Sequence, residues 1–149
     1  MQYTAAETER DVTLVPQAEP VGTVIVLHGL GADGWDFVPV VQELRLPDEL
    51  ALRFVFPHAP VRPVTVNGGY EMRAWYDVRD FTIVGREDLE GITQATDRVR
   101  DYVRAETARG IAPERVVLAG FSQGGAVALH AGIRHPQPLG GIVALSTYL

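Results

Sequence analysis

The sequence has no cysteine and no lysine. Without cysteine there is no disulfide, no thiolate nucleophile and no Cys-bound zinc. Without lysine there is no Schiff base, no Ser-Lys dyad and no P-loop cation, and all thirteen basic residues are arginine. Long apolar runs are also lacking, so no transmembrane segment is expected, and the N-terminal "MQYTAAETER" has no signal-peptide core. A cytoplasmic location is the resulting expectation. The four histidines, His28, His58, His130 and His135, form no HExxH or similar helical pair, which argues against a metal site. The 13 basic residues are outnumbered by 19 Asp and Glu, and the net charge of −6 discourages binding to nucleic acid or anionic membranes.

What is present reads as one globular domain over residues 1–149, with 46% hydrophobic and 21% charged residues. Val12 to Val15 is a strand candidate. Thr23 to Leu27 and Leu52 to Phe56 are nearly continuous apolar runs, as strands buried on both faces would be. Trp35 to Leu44 is expected to form a short helix with Asp33 as its N-cap. Residues 60 to 85 have no clean period and read as a long excursion. Glu87 to Arg109 is the clearest helix. Its Leu89, Ile92, Thr96, Val99 and Val103 recur at helical spacing, and Gly110 and Pro113 end it. Arg115 to Gly120 is a strand, Gln123 to Arg134 a helix and Gly141 to Leu145 a further buried-type strand. Strands alternating with helices predict an α/β fold with a mostly parallel sheet covered by helices on both faces.

Two glycine motifs compete for a functional reading. "HGLGADG" contains Gly29, Gly31 and Gly34 in the G-x-G-x-x-G spacing of a dinucleotide-binding loop. "LAGFSQGG" contains Gly120-x-Ser122-x-Gly124 between a strand and a helix, the setting of a nucleophile elbow. In such an elbow the residues two before and two after the serine approach one another and must be small. The serine is thrust out where the following helix begins, and the N-terminal N–H groups favour developing negative charge there. A dinucleotide site would need an acidic residue about twenty positions on, at the end of the next strand. That strand ends "FVFPHAP", with no acid. The first loop therefore reads as the second half of an oxyanion hole. Leu30 N–H and Gln123 N–H are its donors, worth about 3–4 kcal/mol each to a tetrahedral intermediate. Dinucleotide binding stays as a remote alternative.

The segments "VIVLHGLGADG", "FPHAP", "GYEMRAWYD", "REDLEGI" and "LAGFSQGGAVAL", in this order, resemble the phospholipase/carboxylesterase family of α/β-hydrolases, which includes the acyl-protein thioesterases. The resemblance implies an α/β-hydrolase fold and cleavage of carboxylic esters, acyl thioesters or lysophospholipids. It also implies an acyl-enzyme on Ser122, Leu30 and Gln123 as oxyanion donors, and no cofactor. "MRAWYD" lies in the region that lines the acyl pocket of such enzymes, making Met72 and Trp75 the candidate substrate contacts; simple core filling is the competing reading of Trp75. His28 and His58 are expected to be hydrogen-bonding residues beside the site rather than bases.

The sequence departs from the family after the nucleophile. No Asp or Glu follows Ser122. His130 lies eight residues on, about 12 Å along a helix, and His135 is farther, so neither is expected to reach the serine. The triad order in this fold is Ser, acid, His. The expectation is therefore a C-terminally incomplete hydrolase domain whose missing strands would carry the acid and the histidine. Alone it would be nearly inactive, serving at most as an association module, with Gly141 to Leu145 offering an apolar edge to a second copy.

Overall fold

A computed structural model describes residues 2–80 and 87–148. A six-stranded sheet runs β1 (Tyr3–Glu7), β2 (Asp11–Pro16), β4 (Leu52–Pro57), β3 (Gly22–Leu27), β7 (Val116–Phe121), β8 (Gly141–Leu145). The β4–β3, β3–β7 and β7–β8 pairs are parallel, while β1–β2 and β2–β4 are antiparallel. All five strands expected from the sequence are found, with no end shifted by more than one residue. β1 was not anticipated. Its sequence, "YTAAE", buries almost nothing and alternates weakly, so its pairing with β2 is what makes it a strand.

Alternation along the central strands divides the core between the two faces of the sheet. Ile25, Leu27, Val55, Val116 and Leu118 share one cluster with the helices α2 (Leu89–Ala108) and α3 (Gln123–Ile133). Val12, Leu14, Phe54 and Phe56 share the other with Val41 of the short helix α1 (Val40–Glu43). Each fully buried aliphatic side chain contributes about 1.5–3 kcal/mol relative to exposure.

α2 has a physical cause at each end. The Asp88 carboxylate accepts from the Gly91 N–H at 3.0 Å, so the helix starts at Leu89 rather than at Glu87. At the other end, Gly110 has φ 101°, its N–H reaches the Thr107 carbonyl, and Ile111 N–H reaches the Glu106 carbonyl. That is the glycine-terminated Schellman pattern. Glu106, buried on this helix, accepts from the Thr23 hydroxyl at 2.7 Å and from Arg53 Nε at 3.0 Å, which ties α2 to β3 and β4. Leu89, expected in the buried stripe, is 71% exposed, and the inward face is made instead by Gly91, Ala95, Thr96, Val99, Val103 and Glu106.

Two expectations need correction. The helix over Trp35 to Leu44 is only α1; the preceding residues form turns closed by bonds such as Val38 N–H to Trp35 O. Pro39 has no N–H to extend a ladder and restricts Val38 before it. Asp33 does accept from Trp35 N–H at 2.8 Å, but as a turn residue and not as a helix cap. The excursion also has structure: β5 (Val61–Val64) and β6 (Tyr70–Arg73) form an antiparallel pair. Residues 81–85 of the excursion lie outside the described residues. No helix among the described residues is long and apolar enough to cross a membrane.

Candidate active site

Ser122 stands where β7 turns into α3. Its backbone is at φ 54°, ψ −117°, a positive-φ conformation that non-glycine residues rarely adopt. A serine at a helix N-cap normally bonds an N–H of the first turn, but the Ser122 side chain makes no capping bond. The turn is closed by the Ser122 N–H donating to the Leu145 carbonyl at 2.9 Å, and Ala126 N–H donates to the Ser122 carbonyl at 3.1 Å. A Cβ on Gly120 would overlap the Gly124 carbonyl, and one on Gly124 would overlap the carbonyls of Leu27 and His28. The elbow is thus pressed against the end of β3, where the first glycine loop begins.

That loop is held by both neighbouring histidines. His28 Nε2 accepts from Ala59 N–H at 3.0 Å, which leaves the proton on Nδ1 to donate to the Gly29 carbonyl at 2.7 Å. Burial lowers the His28 pKa, above all by desolvating the charged form, and the neutral ring fits these partners. His58 Nδ1 accepts from Gly34 N–H at 3.0 Å. Both rings therefore organise backbone, and His58 Nε2 lies 3.5 Å from the Glu7 carboxylate. Gly31 has φ 80° and donates to the Arg73 carbonyl at 2.9 Å, tying the loop to β6. No helix begins at these glycines; the next one is α1, from Val40.

Leu30 and Gln123, the expected oxyanion donors, sit on either side of this contact. Leu30 N–H donates to no protein acceptor among the described residues, and Gln123, the first residue of α3, has no carbonyl one turn back within its own helix. The Gln123 side chain is buried and turned to the Trp75–Tyr76 backbone: its Oε1 accepts from Trp75 N–H and its Nε2 donates to the Tyr76 carbonyl, both at 2.8 Å.

Of the two expected substrate contacts, Met72 lies beside the loop, with its sulfur 3.7 Å from where a Gly31 Cβ would stand. Trp75 is placed differently. It is 1% exposed, donates from Nε1 to the His28 carbonyl at 2.8 Å, stacks obliquely on the His28 ring and has the Arg98 guanidinium over its face at 5.9 Å. It braces the loop from beneath and offers no face to solvent. Phe121 was not singled out from the sequence. It is 38% exposed, touches the Gly29 position and packs on Phe37 with ring centroids 5.7 Å apart. Its place immediately before the serine was the available signal. His130 lies in the last turn of α3 and His135 follows the helix. Two surface concavities, of about 360 and 320 Å³, lie along the C-terminal half of α2 and beside α1, and neither borders Ser122.

The profile of the phospholipase/carboxylesterase family matches residues 9–149. Acyl-protein thioesterase 1 of Schizosaccharomyces pombe is 39% identical over 140 residues, covering 93% of this chain and 61% of that protein. The crystal structure of Arabidopsis thaliana SOBER1 matches with a TM-score of 0.81 at 34% identity, over 86% of this chain and 62% of that one. Zea mays acyl-protein thioesterase 2 matches with a TM-score of 0.78 at 28% identity, over 94% and 62%. The chain spans about three fifths of the length of these relatives. The expected α/β-hydrolase fold is the fold of its structural neighbours. A profile that runs from residue 9 to residue 149, joined to this level of identity, shows that the chain belongs to the phospholipase/carboxylesterase family.

Proposed function

We propose that Ser122 is the nucleophile of a serine hydrolase that cleaves carboxylic esters, acyl thioesters among them, through an acyl-enzyme. The observation that carries this reading is the Ser122 backbone at φ 54°, which holds an uncapped hydroxyl at the head of α3. Ser122 Oγ attacks the acyl carbonyl carbon. The carbonyl oxygen becomes an oxyanion, held by the Leu30 and Gln123 N–H groups and by the positive end of the helix. Collapse expels the alcohol or thiol, and water then releases the acid from Ser122. The exposed Phe121 and the half-buried Met72 supply apolar surface for an acyl chain. This chemistry uses no cofactor.

The hydroxyl proton has to pass to a base. No carboxylate follows Ser122, and the His28 ring nitrogens are both engaged with backbone. In a protein of the relatives' full length, the acid and the histidine would come from the part this chain does not match. Residues 1–149 alone would retain only residual catalysis from the oxyanion hole and binding. That these relatives are acyl-protein thioesterases supports the ester and thioester class. The glycine loop supports this reading over a dinucleotide site, because phosphate binding draws on a helix N-terminus and none begins there.

Fluorophosphonate labelling followed by peptide mapping tests the proposal. In protein that also carries the acid and the histidine, the label is expected on Ser122 and absent from Ser122→Ala. Labelling of Ser146 in place of Ser122 would overturn it. NAD added to the same protein is expected to leave its melting temperature unchanged, since only a ligand that binds the native state raises it.

A further inference from the structure

Each N–H assigned to the oxyanion hole shares a planar peptide with a carbonyl that a side chain holds from behind. The Leu30 N–H belongs to the Gly29–Leu30 peptide, whose carbonyl accepts from His28 Nδ1 at 2.7 Å. The Gln123 N–H belongs to the Ser122–Gln123 peptide, whose carbonyl accepts from Thr147 Oγ1 at 2.6 Å. A trans peptide points its N–H opposite to its carbonyl, so fixing one fixes the other. We propose that Thr147 is a positioning residue that aims and polarises the Gln123 N–H through the Ser122 carbonyl, as His28 does for Leu30. The inference rests on the oxyanion assignment made above.

Two further contacts support Thr147 in this role. A Cβ on Gly125 would come within 2.7 Å of the Thr147 Cβ, so the side chain is seated on the first turn of α3. The segment carrying it is anchored on both sides: Leu145 O accepts from Ser122 N–H, and the Tyr148 hydroxyl meets the Tyr76 hydroxyl at 2.8 Å. Thr147 bonds the Ser122 carbonyl and not the Ser122 hydroxyl. Its hydroxyl donates into a peptide that in turn donates to the oxyanion, and hydrogen bonds chained in this way strengthen one another by tens of per cent. The Ser122 carbonyl also accepts from Ala126 N–H at 3.1 Å, so losing Thr147 loosens the peptide without releasing it.

Thr147→Val keeps the shape and removes the donor; Thr147→Ser restores the donor. In protein that labels at Ser122, Thr147→Val is expected to lower the maximal labelling rate about tenfold, a fraction of what losing a whole oxyanion donor costs, with half-saturation unchanged and Thr147→Ser near wild type. A side chain that only packs would instead lower the melting temperature and leave the rate alone, and that result would overturn the proposal. Amide NMR gives a second readout that needs no reaction. Thr147→Val is expected to move the Gln123 resonance and leave Leu30 in place, with Thr147→Ser restoring it; an unmoved Gln123 amide would overturn the proposal. Failure of wild type to label at Ser122 in protein that also carries the acid and the histidine would count against the functional reading, and the amide comparison would still decide the role of Thr147. Should Thr147→Val not fold, Thr147→Ala read against Thr147→Ser makes the same comparison.

Discussion

Gly120 and Gly124 face each other across the nucleophile with backbone against backbone. A Cβ on Gly120 would overlap the Gly124 carbonyl and lie 2.6 Å from Gly125 N, and Gly124 in turn abuts the Leu27 and His28 carbonyls. The two glycines and the end of β3 are therefore a single close-packed unit, and the strained Ser122 is the residue they hold between them.

Alanine at either glycine is expected to cost about 3 kcal/mol or more, because no flexible side-chain end can move aside. Gly69 provides the control. It has φ 79° with nothing within 4 Å of its absent Cβ, so Gly69→Ala pays only the left-handed penalty of about 1–2 kcal/mol. Urea midpoints for the three variants check the order. A Gly120→Ala protein as stable as Gly69→Ala would mean that the elbow relaxes.

The parts of the fold legible in the sequence are those whose cause is local. Apolar runs mark β3, β4 and β7, Gly110 marks the end of α2, and the two small residues around Ser122 mark the elbow. What escaped depends on a partner that the segment's own pattern does not announce. β1 is a strand because β2 is beside it. Glu106 is buried because Thr23 and Arg53 meet it, 83 and 53 residues away. Trp75 looked equally suited to a pocket wall or a core, and only the arrival of His28 and Gln123 against it shows the second. Nothing within "LSTYL" announces that Thr147 reaches the Ser122 carbonyl.

Ser122→Gly is expected to stabilise the protein by about 1 kcal/mol while abolishing fluorophosphonate labelling. The reason is the positive φ of Ser122, which costs an ordinary side chain on the order of 1–3 kcal/mol and glycine little. Glycine also loses more freedom on folding, which offsets part of the gain. The comparison to make is with Ser122→Ala, which loses the same hydroxyl but keeps the strain. Equal melting temperatures for the two variants would show that the elbow stores no strain at this residue.

His28 is expected to make the fold acid-sensitive. Its pKa is lowered by burial, so between the folded value and the unfolded one of about 6.5 the unfolded chain binds more protons. Stability therefore rises with pH through that window; the full contribution is present above it and is lost as pH falls toward the folded value. Titrating the melting temperature between pH 7 and pH 4.5 in wild type and in His28→Asn separates this residue from the carboxylates, which both proteins share. The variant is expected to be less stable at pH 7, because the Ala59 N–H and Gly29 carbonyl lose their partner, and to fall less steeply below pH 6.5. Parallel curves would remove His28 as the cause.

β8 pairs with β7 on one side, and no described strand lies on the other. Val143 and Leu145, which share a face, are each 46% exposed, and Ile133 at the end of α3 is exposed as well. An unpaired apolar edge is a template for another chain, and a contiguous apolar face adds to the drive. A polypeptide of residues 1–149 prepared by itself is therefore expected to self-associate as its concentration rises. Val143→Lys combined with Leu145→Lys should shift it toward monomer, since charge on an edge strand repels a second copy. Light scattering across a dilution series distinguishes the outcomes. A wild-type polypeptide that stays at 16.3 kDa at every concentration would show that this edge is protected in a way the exposed Val143 and Leu145 do not reveal. Self-association that the double substitution leaves unchanged would move the contact elsewhere, the exposed Trp35, Val40 and Leu44 around α1 being the next apolar surface to test.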